Sequence, residues 1–395
     1  MKKRVSKDLK TDFDFLKSGE VYLDSACQSL RPRPVINALN EYYLNYNSCG
    51  ERVKYSWGKK VDNQVEKTRD LILDYLKLRP KDYFVSFTLN TSYGINLILS
   101  QLKKGLVKKV ITSDIEHNSP FLATITFSKT HNIEREVISR EEDGSIDIHK
   151  YDFSNALVVV NCASNIDGRR LENINKLIKK VHKQNGYIII DGAQAMSTNS
   201  DLLEKTDADA ICFSAHKTYA PSLGVIIMKR DFEPNIETSF IGGGMVDDVP
   251  KKDEYVLSSN SSNHIHTKFE AGLQPWGEII ALGKAIKWLK NSKKSNQINE
   301  LSKKLMNGLK EIPTINVINK QTTPTISWYS DKFDSHLLAE ALSDEGVMVR
   351  SGYFCCHYYL DQVKNYPPLI RMSIGLNNTM EDIDKVLEVL KRIFK

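Results

Sequence analysis

The chain has 395 residues, 41% hydrophobic and 26% charged, with a net charge of +6 at neutral pH. That length exceeds one ordinary core, and the composition excludes a disordered or fibrous chain, so two globular domains, or one large domain with an appendage, are expected. The positive charge is scattered in Lys-Lys pairs such as 103–104 and 179–180, which argues against a nucleic-acid face, and neither a secretory signal nor an apolar run of about 18 residues appears, so a cytoplasmic protein without membrane spans is expected.

In chain order, residues 33–47 place Val35, Ile36, Leu39, Tyr42, Tyr43 and Tyr46 at helical spacing behind a proline that suits a helix start. A second helix is predicted from about 60 to 77. Strand "YFVSFT" (83–88) then runs into small polar residues and an apolar helix, an order that makes a ready anion site. Strands at 109–114 and 156–161 follow, then a helix from 171 with Gly186 as its C-terminal cap. Strands "YIIID" (187–191), "AICFSA" (210–215) and "GVIIMK" (224–229) are apolar almost throughout, the mark of a largely parallel sheet covered by helices on both faces. The polar stretch 250–267 is expected to be a mobile or functional loop. A helix near 277–290 precedes a Lys- and Asn-rich connection at 291–299, and the remainder mixes strands ("TISWYS", "LIRMSI") with helices, the last over 379–394 with Thr379 as N-cap. The expected division is an N-terminal segment 1–19 packing with the small domain, a large α/β domain 20–290, and a smaller α+β domain 291–395.

Ligands of parallel α/β sheets collect beyond the carboxyl ends of the strands. Asp191 ends one strand, His216 and Lys217 follow another, and Thr91 and Ser92 follow a third. Most lysines are solvated surface residues, so Lys217 is singled out by these partners. A lysine to bond an aldehyde, an acid for a ring nitrogen and a phosphate cradle together suit pyridoxal 5'-phosphate.

The segments "VYLDSACQSL", "IIIDGAQAMS", "CFSAHKTYAP", "KFEAGLQPW", "VRSGYFCC" and "IRMSIGLNNT" resemble the successive motifs of the class V, fold type I pyridoxal-phosphate enzymes, most closely cysteine desulfurases and selenocysteine lyases. Lys217 follows Asp191 by 26 residues, a spacing that fits the family. The resemblance implies that Lys217 bonds the cofactor and moves the substrate α-proton, that Asp191 holds the ring nitrogen protonated, that Gln194 contacts the ring hydroxyl and that His117 stacks on the ring. It also implies phosphate contacts from Thr91, Ser92, Ser214 and His216, an active-site role for Asn165, and a substrate-carboxylate clamp at Arg371, aided by Arg350.

Six cysteines in so long a chain do not make a disulfide framework, so each is expected to act as a thiol. By the same resemblance Cys355 attacks the substrate sulfur and carries it as a persulfide, with Cys356 as its close rival. Adjacent side chains such as "CCH" rarely converge on one metal ion, and no spaced C-x-x-C pair exists, so no metal is expected. Two departures stand out: Tyr353-Phe354 replaces a His-His pair common in the nearest desulfurases, so that the loop looks a little more like that of molybdenum-cofactor sulfurases, and Leu273 stands where a threonine usually reaches the neighbouring subunit's phosphate. The expectation is a homodimeric desulfurase acting on L-cysteine or L-selenocysteine and passing sulfur to an acceptor. Another class V activity (aminotransferase, lyase or epimerase) and a catalytically silent partner subunit are the alternatives.

Overall fold

The computed structural model describes residues 9–16, 19–51, 53–261, 264–292 and 295–395. A short strand β1 (Val21–Tyr22) precedes helices α1 (Arg33–Asn45) and α2 (Ser56–Tyr75). Strands and helices then alternate: β2 (Tyr83–Thr88), α3 (Thr91–Gln101), β3 (Lys109–Ser113), α4 (Asn118–His131), β4 (Glu134–Ile138), β5 (Ala156–Asn161), α5 (Ile174–Lys183), β6 (Tyr187–Asp191), the one-turn α6 (Ala195–Thr198), β7 (Ala210–Ser214) and β8 (Gly224–Lys229). A hairpin of β9 (Val246–Lys251) and β10 (Glu254–Leu257) leads to α7 (Trp276–Asn291) and α8 (Ser295–Lys310). The last part holds β11 (Ile315–Val317), β12 (Thr325–Ser330), α9 (Ser335–Asp344), β13 (Val347–Met348), β14 (Arg350–Gly352), β15 (Leu369–Ser373) and α10 (Met380–Ile393).

Seven strands form one sheet in the order β2-β8-β7-β6-β5-β3-β4, and only β8 runs against its neighbours. The α/β architecture expected from the apolar strands is therefore present. Alternate residues of these strands serve two cores, because side chains of a strand point to opposite faces. Val85, Phe87, Val158, Val160, Ile190, Phe213 and Val225 share one cluster with Ile72 of α2 and Ile279 of α7. Phe84, Leu157, Val159, Ile189, Cys212 and Ile226 share the other with Ile95 and Ile98 of α3 and Phe127 of α4. Each such side chain, fully buried, stabilises the fold by roughly 1.5–3 kcal/mol relative to exposure. The smaller sheet, in the order β11-β12-β15-β14, is antiparallel throughout and packs its own core against α8 and α10.

Three local expectations are corrected. Helix α5 ends at Lys183, and the left-handed position behind it is taken by Asn185 (φ 57°), not by Gly186. Gly186 serves another need: a Cβ there would sit 2.7 Å from the Ala156 carbonyl oxygen. The polar stretch at 250–267 includes the end of a β-hairpin, β9–β10, together with short 3-10 turns at 258–260 and 265–269. Near the N-terminus, Phe13 packs edge-on against Trp288, with ring centroids 5.9 Å apart, and the Trp288 Nε1–H donates to Asp12 at 2.8 Å. This segment thus rests on α7, while Val21 and Tyr22 pair with Val347 and Met348 of the C-terminal part. Residues 1–8, 17–18 and 293–294, which belong to the expected N-terminal segment and domain boundary, lie outside the described residues. Among those described, no helix is long and apolar enough to cross a membrane.

Candidate active site

The carboxyl ends of β2, β5, β6 and β7 open onto one cavity of about 330 Å³. Thr91, Ser92, His117, Asn165, Asp191, Gln194, Ser214, His216, Lys217, Arg350, Cys355 and Arg371 all line it. These candidates are therefore brought together from positions spread over 280 residues of chain, while the rival thiol Cys356 is not part of the lining.

Strand β8 runs antiparallel between β2 and β7, whose ends border this cavity. Its first residue, Gly224, pairs with both Thr88 and Ser214, and a Cβ there would come within 2.3 Å of Thr88 Oγ1 and 2.5 Å of the Asn90 nitrogen. The bare glycine lets the β2–α3 turn close over β7. Asn90 caps α3 by accepting the Tyr93 N–H at 2.9 Å. Thr91 is tied to Ser214, whose Oγ accepts the Thr91 N–H at 3.0 Å and lies 2.6 Å from its hydroxyl. Ser92 Oγ meets Ser119 Oγ at the amino end of the next helix. A helix start carries partial positive charge and unclaimed N–H groups, so this corner suits an anion.

Lys217 ends a 3-10 turn directly after β7 and is half-buried, exposed to the cavity. Burial pushes its ammonium below the ordinary lysine range, opposed by Asp191 and reinforced by Arg371. Asp191 is buried and raised by desolvation, with Oδ1 accepting the Ala193 N–H at 2.9 Å. His216 is pushed down to about 4, first by burial and then by Lys217 and Arg31. The turn is fastened from outside, since Ser29 donates its N–H (2.9 Å) and Oγ (3.0 Å) to the His216 carbonyl and accepts the Tyr219 N–H at 2.8 Å.

His117 caps α4 through its ring, with Nδ1 accepting the Ser119 N–H at 3.0 Å. A backbone N–H can only donate, so Nδ1 carries no proton and the neutral ring holds its proton on Nε2. Burial, then Lys217 and Arg371, hold this imidazole down at about 4.

The cysteine loop explains why two adjacent thiols differ. Phe354 (φ 50°) and Cys355 (φ 58°) both adopt left-handed backbone, which turns the chain sharply. Cys355 is left exposed on the cavity, while Cys356 is fully buried, raised by that burial, and donates to Asn165 Oδ1 at 3.1 Å. Asn165 returns the contact by donating Nδ2 to the Phe354 carbonyl at 2.8 Å, and the Asn118 N–H holds the Cys355 carbonyl at 2.6 Å. Phe354 lies under the Arg371 guanidinium, whose central carbon is 4.8 Å from its ring centroid. Leu273, the other departure, is 78% exposed and lies outside the cavity.

Sequence reasoning missed the residues that aim the two arginines. Asp24 accepts Arg371 Nη2 on Oδ1 at 3.0 Å and Arg350 on Oδ2, from Nη2 at 2.9 Å and Nε at 3.2 Å. Arg371 Nη1 donates to the Asn165 carbonyl at 3.0 Å, whereas its buried Nε has no acceptor. Arg350 Nη2 also reaches Cys27 Sγ at 2.6 Å. Asp24 and Cys27 stand within the motif "YLDSACQ", so the signal was present without its long-range partners.

A family model of class-V aminotransferases matches residues 21–386. A probable cysteine desulfurase of Pyrococcus abyssi is 28% identical, the alignment covering 99% of this chain and 98% of that protein. The solved apo cysteine desulfurase of Thermococcus onnurineus superposes with a TM-score of 0.88 at 26% identity, covering 99% of this chain and 98% of its own. The Escherichia coli cysteine desulfurase CsdA shares the fold, with a TM-score of 0.86 at 20% identity over 97% of this chain and 96% of its own.

Proposed function

The chain belongs to the class-V aminotransferase family, and on that premise we propose that it is a cysteine desulfurase, converting L-cysteine to L-alanine and carrying the sulfur as a persulfide on Cys355. One observation carries the reading: the exposed member of two adjacent thiols lines the same cavity as a partly desolvated lysine. Pyridoxal 5'-phosphate is the cofactor of this family. The donor set fits it, with an anion-suited helix start at one end and a buried carboxylate beside the lysine at the other.

When bound, this cofactor supplies a carbonyl that captures amines and a ring that draws electrons from the substrate α-carbon. Ser92, Thr91, Ser214, His216 and the start of α3 would hold its phosphate, Asp191 would keep its ring nitrogen protonated, and His117 and Gln194 would contact the ring. Lys217, whose charged form burial disfavours, removes the substrate α-proton. Arg371, with one donor still unsatisfied, receives the substrate carboxylate beside Asn165 and Arg350. The Cys355 thiolate forms an S–S bond to the substrate sulfur as the substrate C–S bond breaks, and the electron pair left on carbon is protonated to give alanine. The sulfane sulfur then passes to an acceptor thiol on a protein or small molecule. The six unpaired cysteines support a reducing, cytoplasmic setting, and exposed Phe240 and Leu273 support a homodimer.

Alanine released from L-cysteine by the cofactor-loaded protein, with sulfide released when a dithiol reduces the persulfide, tests the reading. Cys355→Ala should lose at least about a thousandfold in turnover, and Cys356→Ala no more than about tenfold. Full turnover in Cys355→Ala rejects the mechanism.

A further inference from the structure

A second thiol, Cys27, lines the cavity. Its backbone is fixed on both sides, by Gln194 Nε2 donating to the Ala26 carbonyl at 2.7 Å and by the Gln28 N–H on the Asp24 carbonyl at 3.1 Å. The half-buried Sγ lies 2.6 Å from Arg350 Nη2, and Arg350 is itself anchored by Asp24. Lys217 and Arg371 line the same space. An independent feature points to an acidic ligand: Arg371 is only 3% exposed, yet its Nε is buried without an acceptor.

We propose that Cys27 is a thiol–disulfide exchange site that takes up one half of a small disulfide bearing carboxylates. The proposed desulfurase reading supplies only the choice of L-cystine, the disulfide of the proposed substrate, as the matching molecule. In the exchange the Cys27 thiolate attacks one sulfur of the disulfide, a new S–S bond forms, the original S–S bond breaks, and the other half leaves as a thiolate that takes up the released proton. Cys27 is oxidised and the departing half is reduced, so no further oxidant is needed. The retained half, with its carboxylate against the arginines, fills the space that a substrate molecule needs. A dithiol reverses the adduct.

The test treats the cofactor-loaded full chain with L-cystine or, in parallel, with cystamine, which lacks carboxylates and is cationic. Acid-quenched digests are then mapped by mass for the half-disulfide on each cysteine. Cys27 should be labelled roughly tenfold faster by L-cystine than by cystamine, as expected of a charge-steered encounter. Label should remain on Cys27 in Cys355→Ala, vanish from that peptide in Cys27→Ser, and lose most of its preference for L-cystine in Arg350→Gln. Label on Cys355 alone, labelling of Cys27 only after denaturation, or equal rates with both disulfides overturns the proposal. Labelled Cys27 in a protein that makes no alanine from L-cysteine removes the desulfurase reading but leaves the exchange site standing; alanine production with Cys27 unlabelled does the reverse.

Discussion

At the scale of single residues, the site works by giving like groups unlike surroundings. Cys355 and Cys356 are chemically identical neighbours, and two consecutive left-handed residues separate them into an exposed thiol and a buried one that braces Asn165. His117 is fixed in one tautomer by a backbone N–H and kept neutral by burial and two cations. Its folded value lies below the ordinary 6.5, so the neutral form is favoured and acid well below pH 6.5 is needed to charge it. In cofactor-free protein, ring-nitrogen NMR should find a midpoint near 4 and a proton on Nε2 at pH 6; a midpoint at 6.5 would contradict the assigned contact. Lys217, Asp191 and His117 were legible because local motif and spacing announced them. Asp24 was not, because its partners Arg350 and Arg371 lie 326 and 347 residues away, and no local pattern reports a pairing made only by the fold.

At the scale of elements, strands were the most legible feature, since their apolar runs reflect burial on both faces. Ends and turns were less so. Asn185 shows that asparagine can take the left-handed position expected of glycine, freeing Gly186 for a close backbone approach. The segment read as a loop forms part of a hairpin because Tyr255 and Val256 supply strand-forming side chains among the polar residues. The turn between β2 and α3 depends on one missing side chain. Gly224→Ala forces a methyl against Thr88 and Asn90, and overpacking of that kind costs about 1–3 kcal/mol. Denaturant unfolding should register that loss together with weaker cofactor retention. An unchanged midpoint would mean that the turn can move aside.

For the whole molecule, the cavity lies where the two sheets meet. Asp24, beside the small sheet through its bridge to Ser373, aims arginines of that sheet at residues on the ends of the large one. The sequence announced both sheets, but their relative placement depends on contacts between distant segments such as Ser327 Oγ to the Ile166 carbonyl. Phe240, Ile241 and Leu273 stand exposed on adjacent loops joined by the Gly272 N–H on the Gly243 carbonyl. If a second copy covers them, Leu273→Asp shifts sedimentation from dimer toward monomer; a wild-type monomer would refute that arrangement. All of this chemistry depends on one amine beside one buried carboxylate. Borohydride reduction of the cofactor-loaded protein, followed by peptide mass mapping, should place the pyridoxyl group on Lys217. Its recovery on another lysine, or on none, would contradict the account.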